Sequence, residues 1–166
     1  MPVPGPELLT RLLDQHGATL VLYARQWCHT PEDVVQEACL QLMRETSEPA
    51  NVAGWMFRVV RNGAISAGRG ESRRVRHESA AARQARPWFE PNAGESLDAR
   101  AVARDLETLP DDERETIVLR LWGGLSFEQI AELTGTSTST AHRRYVAGLT
   151  ALRERHLPCT KEDQKT

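Results

Sequence analysis

The stretch from Leu125 to Arg155, LSFEQIAELTGTSTSTAHRRYVAGLTALRER, constrains the fold most tightly. Ser126 precedes Gln129 by three residues, the spacing of a capping box, in which two side chains satisfy free N–H groups at a helix start. Ile130, Ala131 and Leu133 supply that helix with apolar positions. Gly135 stands where a left-handed helix stop is wanted. Thr136 or Ser137 then caps a second helix, whose Ala141, Tyr145, Leu149 and Leu152 recur at three- and four-residue spacing. Two short helices joined by a tight glycine turn make a helix-turn-helix. The second helix presents Ser139, Thr140, His142, Arg143 and Arg144 away from its apolar stripe, and no acid occurs from Ser137 to Ala151. Such a face suits a recognition helix in a DNA major groove. The alternative is a basic face that is merely solvated.

The rest of the chain is also helical in pattern, since nothing alternates at period two for long enough to be a strand. The sequence therefore predicts an all-α protein of two small helical domains joined by a flexible linker. The first domain spans 6–74, with helices expected at 6–15, 17–28, 31–45 and 52–68. Residues 75–96, rich in Ala, Arg, Glu and Pro, read as the linker, with a short helical stretch at Ser79–Arg86. The second domain spans 97–155 and a polar tail 156–166. Aromatic content of 5% implies aliphatic packing between helices.

The chain has no run of about 18 apolar residues, so no membrane span is expected. Its N-terminus, MPVPGPELLTRLL, lacks the basic start and apolar core of a secretory signal. Three widely spaced cysteines, Cys28, Cys39 and Cys159, suit reduced thiols in a cytoplasmic protein. Neither they nor the five histidines form a nucleophile–base or metal-ligand pattern, and no glycine loop is built to cradle phosphate. The expectation is a protein with no catalytic site, metal or cofactor.

A net charge of −2 argues at first against a nucleic-acid partner, but the charge is segregated. From Arg58 to Arg86 eight arginines meet only Glu71 and Glu78, a local balance of +6 that leaves −8 for the remainder. Acid gathers at Glu32, Asp33, Glu37, Glu45 and Glu48, and again from Asp105 to Glu115. Such separation favours a molecule offering one surface to DNA and another to a protein. A disordered basic linker is the competing reading of the arginines.

Two helices of the first domain carry further signals. In the one from Pro31, Thr30 can act as cap, and Glu32 and Asp33 suit the positive helix end. Val34, Val35, Ala38, Leu42 and Met43 form its inner stripe, leaving Asp33, Gln36 and Glu37 on the outer face. The next helix places Arg58, Arg61, Asn62, Ile65 and Arg69 beside a stripe of Met56, Val60, Ala64 and Ala67. Trp55 and Phe57 stand at its start, after the small-residue loop Thr46–Ala53, which includes Asn51. Arginines beside aromatics and a loop suit melted or single-stranded nucleic acid. For most of their area the two aromatics read as core.

Three blocks, PEDVVQEACLQLMRE, AGWMFRVVRNGAIS and LPDDERETIVLRLWGGLSFEQIAELTGTSTSTAHRRYVAGLTALRER, resemble successive conserved blocks of bacterial RNA polymerase sigma factors. The compact two-domain form is that of the extracytoplasmic-function class. The resemblance implies that Asp33, Gln36 and Glu37 dock on the clamp helices of the polymerase's largest subunit. It implies that the loop Thr46–Ala53, with Asn51, captures a flipped base of the minus-ten element, an event that requires an opened duplex. Arg58, Arg61, Asn62, Ile65 and Arg69 would meet that element and the melted strand. Ser137, Ser139, Thr140, His142, Arg143 and Arg144 would lie over the minus-thirty-five element. The partners implied are core RNA polymerase, through its clamp helices and flap region, promoter DNA, and an anti-sigma protein. A sigma-like or ordinary helix-turn-helix regulator that cannot open promoters is the alternative. It is motivated by Gly63, Gly68 and Gly70, each costing a helix interior about 1 kcal/mol relative to Ala. The expectation is that the minus-ten helix ends early or orders only on DNA.

Overall fold

Proline and glycine punctuate the first third of the chain, yet neither helix there ends on one of them. The computed structural model describes residues 4–77, 101 and 104–156, and all regular structure among them is helical. Helix α1 runs unbroken over Pro6–Ala24, merging the two helices expected on either side of Gly17. Leu12, Leu20, Tyr23 and Ala24 keep one buried face in phase across that glycine, and tertiary burial outweighs the local propensity penalty. The helix tightens and stops at Arg25–Trp27, where Gln26 and Trp27 donate to Tyr23 and Ala24 carbonyls, four residues short of the expected end. Helix α2, Pro31–Arg44, starts on proline, with Val35, Ala38, Cys39 and Leu42 buried. Thr30 is its N-cap residue, but its side chain makes no capping bond.

Helix α3 spans Val52–His77 and overturns the expectation of an early end. It starts where Asn51 Oδ1 accepts the Gly54 N–H at 2.9 Å. Two of its glycines are contact points. Gly63 lies against the Val34 side chain, 3.0 Å from where a Cβ would stand, and a Cβ on Gly68 would overlap the Trp27 carbonyl oxygen. Beyond them, Glu71 accepts the His29 N–H through both carboxylate oxygens, at 3.2 and 3.3 Å. The missing side chains let α3 approach α2 and the turn after α1, and that packing carries the helix through. The helix thus passes residue 74, the expected domain edge. The proposed helical stretch at Ser79–Arg86 lies outside the described residues, as does most of the polar tail.

The second unit begins with helical backbone at 104–107 and continues as α4 (Asp111–Leu121), α5 (Phe127–Thr134) and α6 (Thr138–His156). The capping box at α5 is complete. Gln129 N–H donates to Ser126 Oγ at 3.2 Å, and Ser126 N–H donates to Gln129 Oε1 at 2.7 Å. Gly135 ends α5 with φ of 69°, a left-handed conformation that glycine adopts without a Cβ penalty. Ser137 caps α6, accepting the Thr140 N–H at 3.1 Å, whereas Thr136 pairs with Thr134 at 3.0 Å.

Helices α1, α2 and α3 pack on one another, as do α4, α5 and α6. The two units also touch, α1 against α4 and α3 against α5. Ala141 is buried, and Tyr145, Leu149 and Leu152 pack against the core, so the predicted stripe of α6 faces inward.

Candidate nucleic-acid and protein interfaces

The outer face of α2 offers the simplest surface. Asp33, Gln36 and Glu37 are all exposed there, Asp33 about one turn before the other two, opposite the buried stripe. Glu37 holds only a loose pair with Arg44 at 3.6 Å. Beside this face a groove of about 290 Å³ runs between α2 and α3, with Val34, Val59 and Ala67 along it and Asp33 and Glu37 at its edge. An apolar floor with an acidic rim fits a partner helix that carries basic residues.

On α3, the predicted DNA-facing residues divide into two groups. Asn62 and Arg69 are exposed and Ile65 is half-buried. Ile65 and Arg69 line a broad groove of about 720 Å³ with Trp27, Ser66, Arg73 and Arg76, where three guanidinium groups can follow a phosphate backbone. Arg58 and Arg61 are instead engaged by the second unit. Asn51, read as a base contact, spends its side-chain oxygen on capping α3. The non-helical loop is shorter than read, because Val52 and Ala53 already belong to α3. Phe57 is fully buried and Trp55 packs against the core.

The seam between the units is the most polar part of the interior. Tyr23, fully buried, donates its hydroxyl to Glu115 Oε1 at 2.7 Å. Arg61 Nε donates to the same oxygen at 2.7 Å, and its Nη2 reaches Oε2 at 3.4 Å. The Arg61 guanidinium also lies 5.6 Å above the Trp27 ring, and Tyr23 meets Trp27 and Phe57 edge-on. Burial works against the Arg61 charge, but Glu115 and Tyr23 together outweigh it and leave the guanidinium pKa raised. Burial first, and Glu115 second, push the Tyr23 hydroxyl well above 10.0. Breaking a buried pair of this kind from one side costs about 3–5 kcal/mol, because the remaining charge is stranded. Toward the rim, Arg114 Nε donates to Gln26 Oε1 at 3.4 Å, and Arg58 Nη2 donates to Glu132 Oε1 at 2.6 Å. A cleft of about 210 Å³ beside this last pair is shared by Asn51, Trp55 and Arg58 with Gln129, Glu132 and Leu133.

On α6, Ser139, His142 and Arg143 are exposed. His142 stands edge-on to Phe127 with ring centroids 5.1 Å apart. Ser137 and Thr140 are bonded to each other through their hydroxyls at 2.9 Å as part of the cap. Arg144 turns to α4, its Nε 2.9 Å from Asp112 Oδ2. Of the six residues read as a DNA face, Ser139, His142 and Arg143 are exposed, His142 against the Phe127 ring, and the other three are bonded within the protein.

Tyr23, Trp27, Glu115 and Glu132 escaped the sequence reading, which counted Glu115 in an acidic cluster suited to a protein-facing surface. Cys28 and Cys39 are buried free thiols with pKa values raised by burial; Cys159 lies outside the described residues. Among the described residues no helix is long and apolar enough to cross a membrane.

Two family models match the chain in succession, Sigma-70 region 2 over residues 12–74 and Sigma-70, region 4 over residues 99–152. Among solved structures, the chain is similar to the sigma factor RpoE in complex with the anti-sigma factor NepR from Bartonella quintana. That match has 24% identity and a TM-score of 0.72, covering 90% of this chain and 96% of the other. It is also similar to CnrH in complex with the cytosolic domain of CnrY, at 23% identity and a TM-score of 0.60, covering 92% and 89%. At these identities the structural likenesses speak to the fold.

Proposed function

Because the chain belongs to the sigma-70 family, in the two-domain extracytoplasmic-function form, and so directs transcription initiation, we propose how its surfaces divide that work. Asp33, Gln36 and Glu37 dock on the clamp helices of core RNA polymerase. The loop with Asn51, together with Arg58, Arg61, Asn62, Ile65 and Arg69, receives the minus-ten element and the melted strand. Ser139, His142 and Arg143 read or clamp the minus-thirty-five element, with Ser137, Thr140 and Arg144 supporting the helix that presents them. The unit of α1–α3, ending at His77, and the unit of α4–α6 act as the two DNA-binding domains, with the segment between them as their tether. Such a protein supplies specificity rather than catalysis, and works in the cytoplasm beside its polymerase. Two weak DNA contacts become selective once both are held on one enzyme, because tethering raises the effective concentration of the second.

An anti-sigma protein is a natural further partner, since RpoE of Bartonella quintana is bound by one. The acidic-rimmed groove between α2 and α3 is the surface such a protein would share with polymerase.

The observation that carries the docking assignment is the exposure of all three α2 residues on one face while the opposite stripe is buried. The test is capture of purified core RNA polymerase by wild type and by Asp33→Lys/Glu37→Lys. Wild type is expected to bind and the charge reversal to fail, with both proteins equally helical. If neither binds while both still shift duplex DNA, the docking assignment is wrong and the protein behaves as an ordinary helix-turn-helix regulator.

A further inference from the structure

Trp27 is the aromatic member of the basic groove along the second half of α3. Half-buried in the turn after α1, it lines that groove with Ile65, Arg69, Ser72, Arg73 and Arg76. The three arginines are exposed and about one turn apart. Among the described residues no carboxylate lines the groove. Glu71, the one acid from Arg58 to His77, is committed to the His29 N–H. The indole is also fixed in place. Its backbone N–H donates to the Ala24 carbonyl at 3.1 Å, and its own carbonyl rests where Gly68 lacks a side chain. Its ring stands edge-on to the buried Tyr23, with centroids 5.0 Å apart. A rigid aromatic contact loses little freedom when a ligand arrives.

Arginines alone would serve duplex and single strand equally, since both present phosphate. An aromatic surface among them does not, because a paired base keeps its faces stacked within the helix and only an unpaired one can lie against a side chain. We infer that Trp27 is a base-contacting residue of this protein: an unpaired nucleobase of the melted strand lies against its indole, while Arg69, Arg73 and Arg76 hold the phosphates beside it. This point of capture is separate from the loop at Asn51. Gly68, where the turn meets α3, lies 17 residues further on, roughly 25 Å along the helix axis. The two therefore hold bases several nucleotides apart. Every base has a π-face, so Trp27 retains opened strand without reading its sequence.

This inference rests on the assignment of α3 to the melted strand, and the test separates the two. Holoenzyme assembled from core polymerase and the full chain is bound to a promoter fragment recovered by run-off transcription. The fragment carries 2-aminopurine at one position at a time, a base that brightens when it leaves the stack and dims against an indole. Bases of the melted segment should brighten, except for one that stays dim in wild type and in Trp27→Phe but brightens in Trp27→Leu. Iodouracil at that position should crosslink to Trp27 on irradiation, a result read on the wild-type protein and so independent of how the variants fold. Binding of the full chain to single-stranded oligothymidine should weaken about ten-fold in Trp27→Leu, with its salt slope and its duplex affinity unchanged. Arg69→Ala and Arg73→Ala should instead lower the salt slope by about one each. Brightening throughout with no dim position sinks the inference and spares the assignment. So does a crosslink that falls elsewhere, or a Trp27→Leu protein that loses single strand and duplex alike. If no position brightens, the promoter is not opened, and the assignment fails together with the inference.

Discussion

Gly68 of α3 faces the carbonyl oxygen of Trp27 so closely that a methyl group in its place would overlap it, while Gly70, two residues on, has nothing within 4 Å. The same substitution should therefore have opposite signs at the two positions. Gly70→Ala removes only conformational freedom from an open helical site and should raise stability by about 0.5–1 kcal/mol. Gly68→Ala forces α3 away from the turn after α1 and should cost about 1–3 kcal/mol. Urea denaturation followed by helical ellipticity measures both, and stabilisation by both would show that α3 does not rest on that turn.

That contrast marks the limit of what the sequence disclosed. The α5–α6 motif was legible because its signals are local. Ser126, Gln129, Gly135 and Ser137 act on backbone four or fewer residues away, and each does what its spacing implied. The family blocks and the all-helical class followed from similarly short patterns. The glycines of α3 were misread because the reason for them lies on α2 and in the turn at Trp27. Glu115 was misread for the same cause, its partners being 54 and 92 residues away. An acid within an acid-rich helix start looks solvated from its neighbours alone. Asn51 was open to a better reading, since an asparagine three residues before Gly54 at a helix start is a capping signal.

The capping box at α5 gives a prediction confined to the second unit. Ser126→Ala removes the acceptor of the Gln129 N–H and should lower stability by about 0.5–2 kcal/mol. Ser126→Asp retains an acceptor and should recover most of it. Chemical denaturation of the full chain reads both. Equal losses for the two variants would mean that the hydroxyl contributes nothing as a cap.

Alkaline pH should weaken the fold in a defined order. Burial raises the Cys28 and Cys39 thiols from their ordinary value of 9.0, and burial with Glu115 raises Tyr23 from 10.0. A group with a raised folded-state pKa keeps its proton in the native state while the unfolded chain loses it. Its contribution is thus full below the unfolded pKa and lost as pH climbs through the folded one. Stability should hold up to pH 9.0, decline first through the thiols, and decline more steeply above 10.0 as Tyr23 joins. Tyr23→Phe should be less stable near neutrality, having lost the bond to Glu115, yet show a shallower alkaline limb. Unfolding midpoints across that range decide it, and parallel limbs for wild type and Tyr23→Phe would remove Tyr23 from the account.

Arg143 and Arg144 are adjacent in α6 but should behave differently on DNA. Arg143 is exposed, whereas Arg144 is tied to Asp112 at 2.9 Å with about a quarter of its side chain accessible. Arg143→Ala should weaken binding to a duplex promoter fragment recovered by run-off transcription. If the contact is to phosphate, the salt slope should fall by about one; if it is to a base edge, the loss should be about 1–3 kcal/mol and confined to that base pair. Arg144→Ala should leave the salt slope alone and act through the fold, costing about 0–1 kcal/mol for a partly screened pair. Asp112→Asn should reproduce that cost, because both changes break the same link between α4 and α6. A salt slope that falls for Arg144→Ala as much as for Arg143→Ala would mean that Arg144 leaves Asp112 for phosphate when DNA arrives. The outward face of α6 would then be wider than the three residues that present it in the free protein.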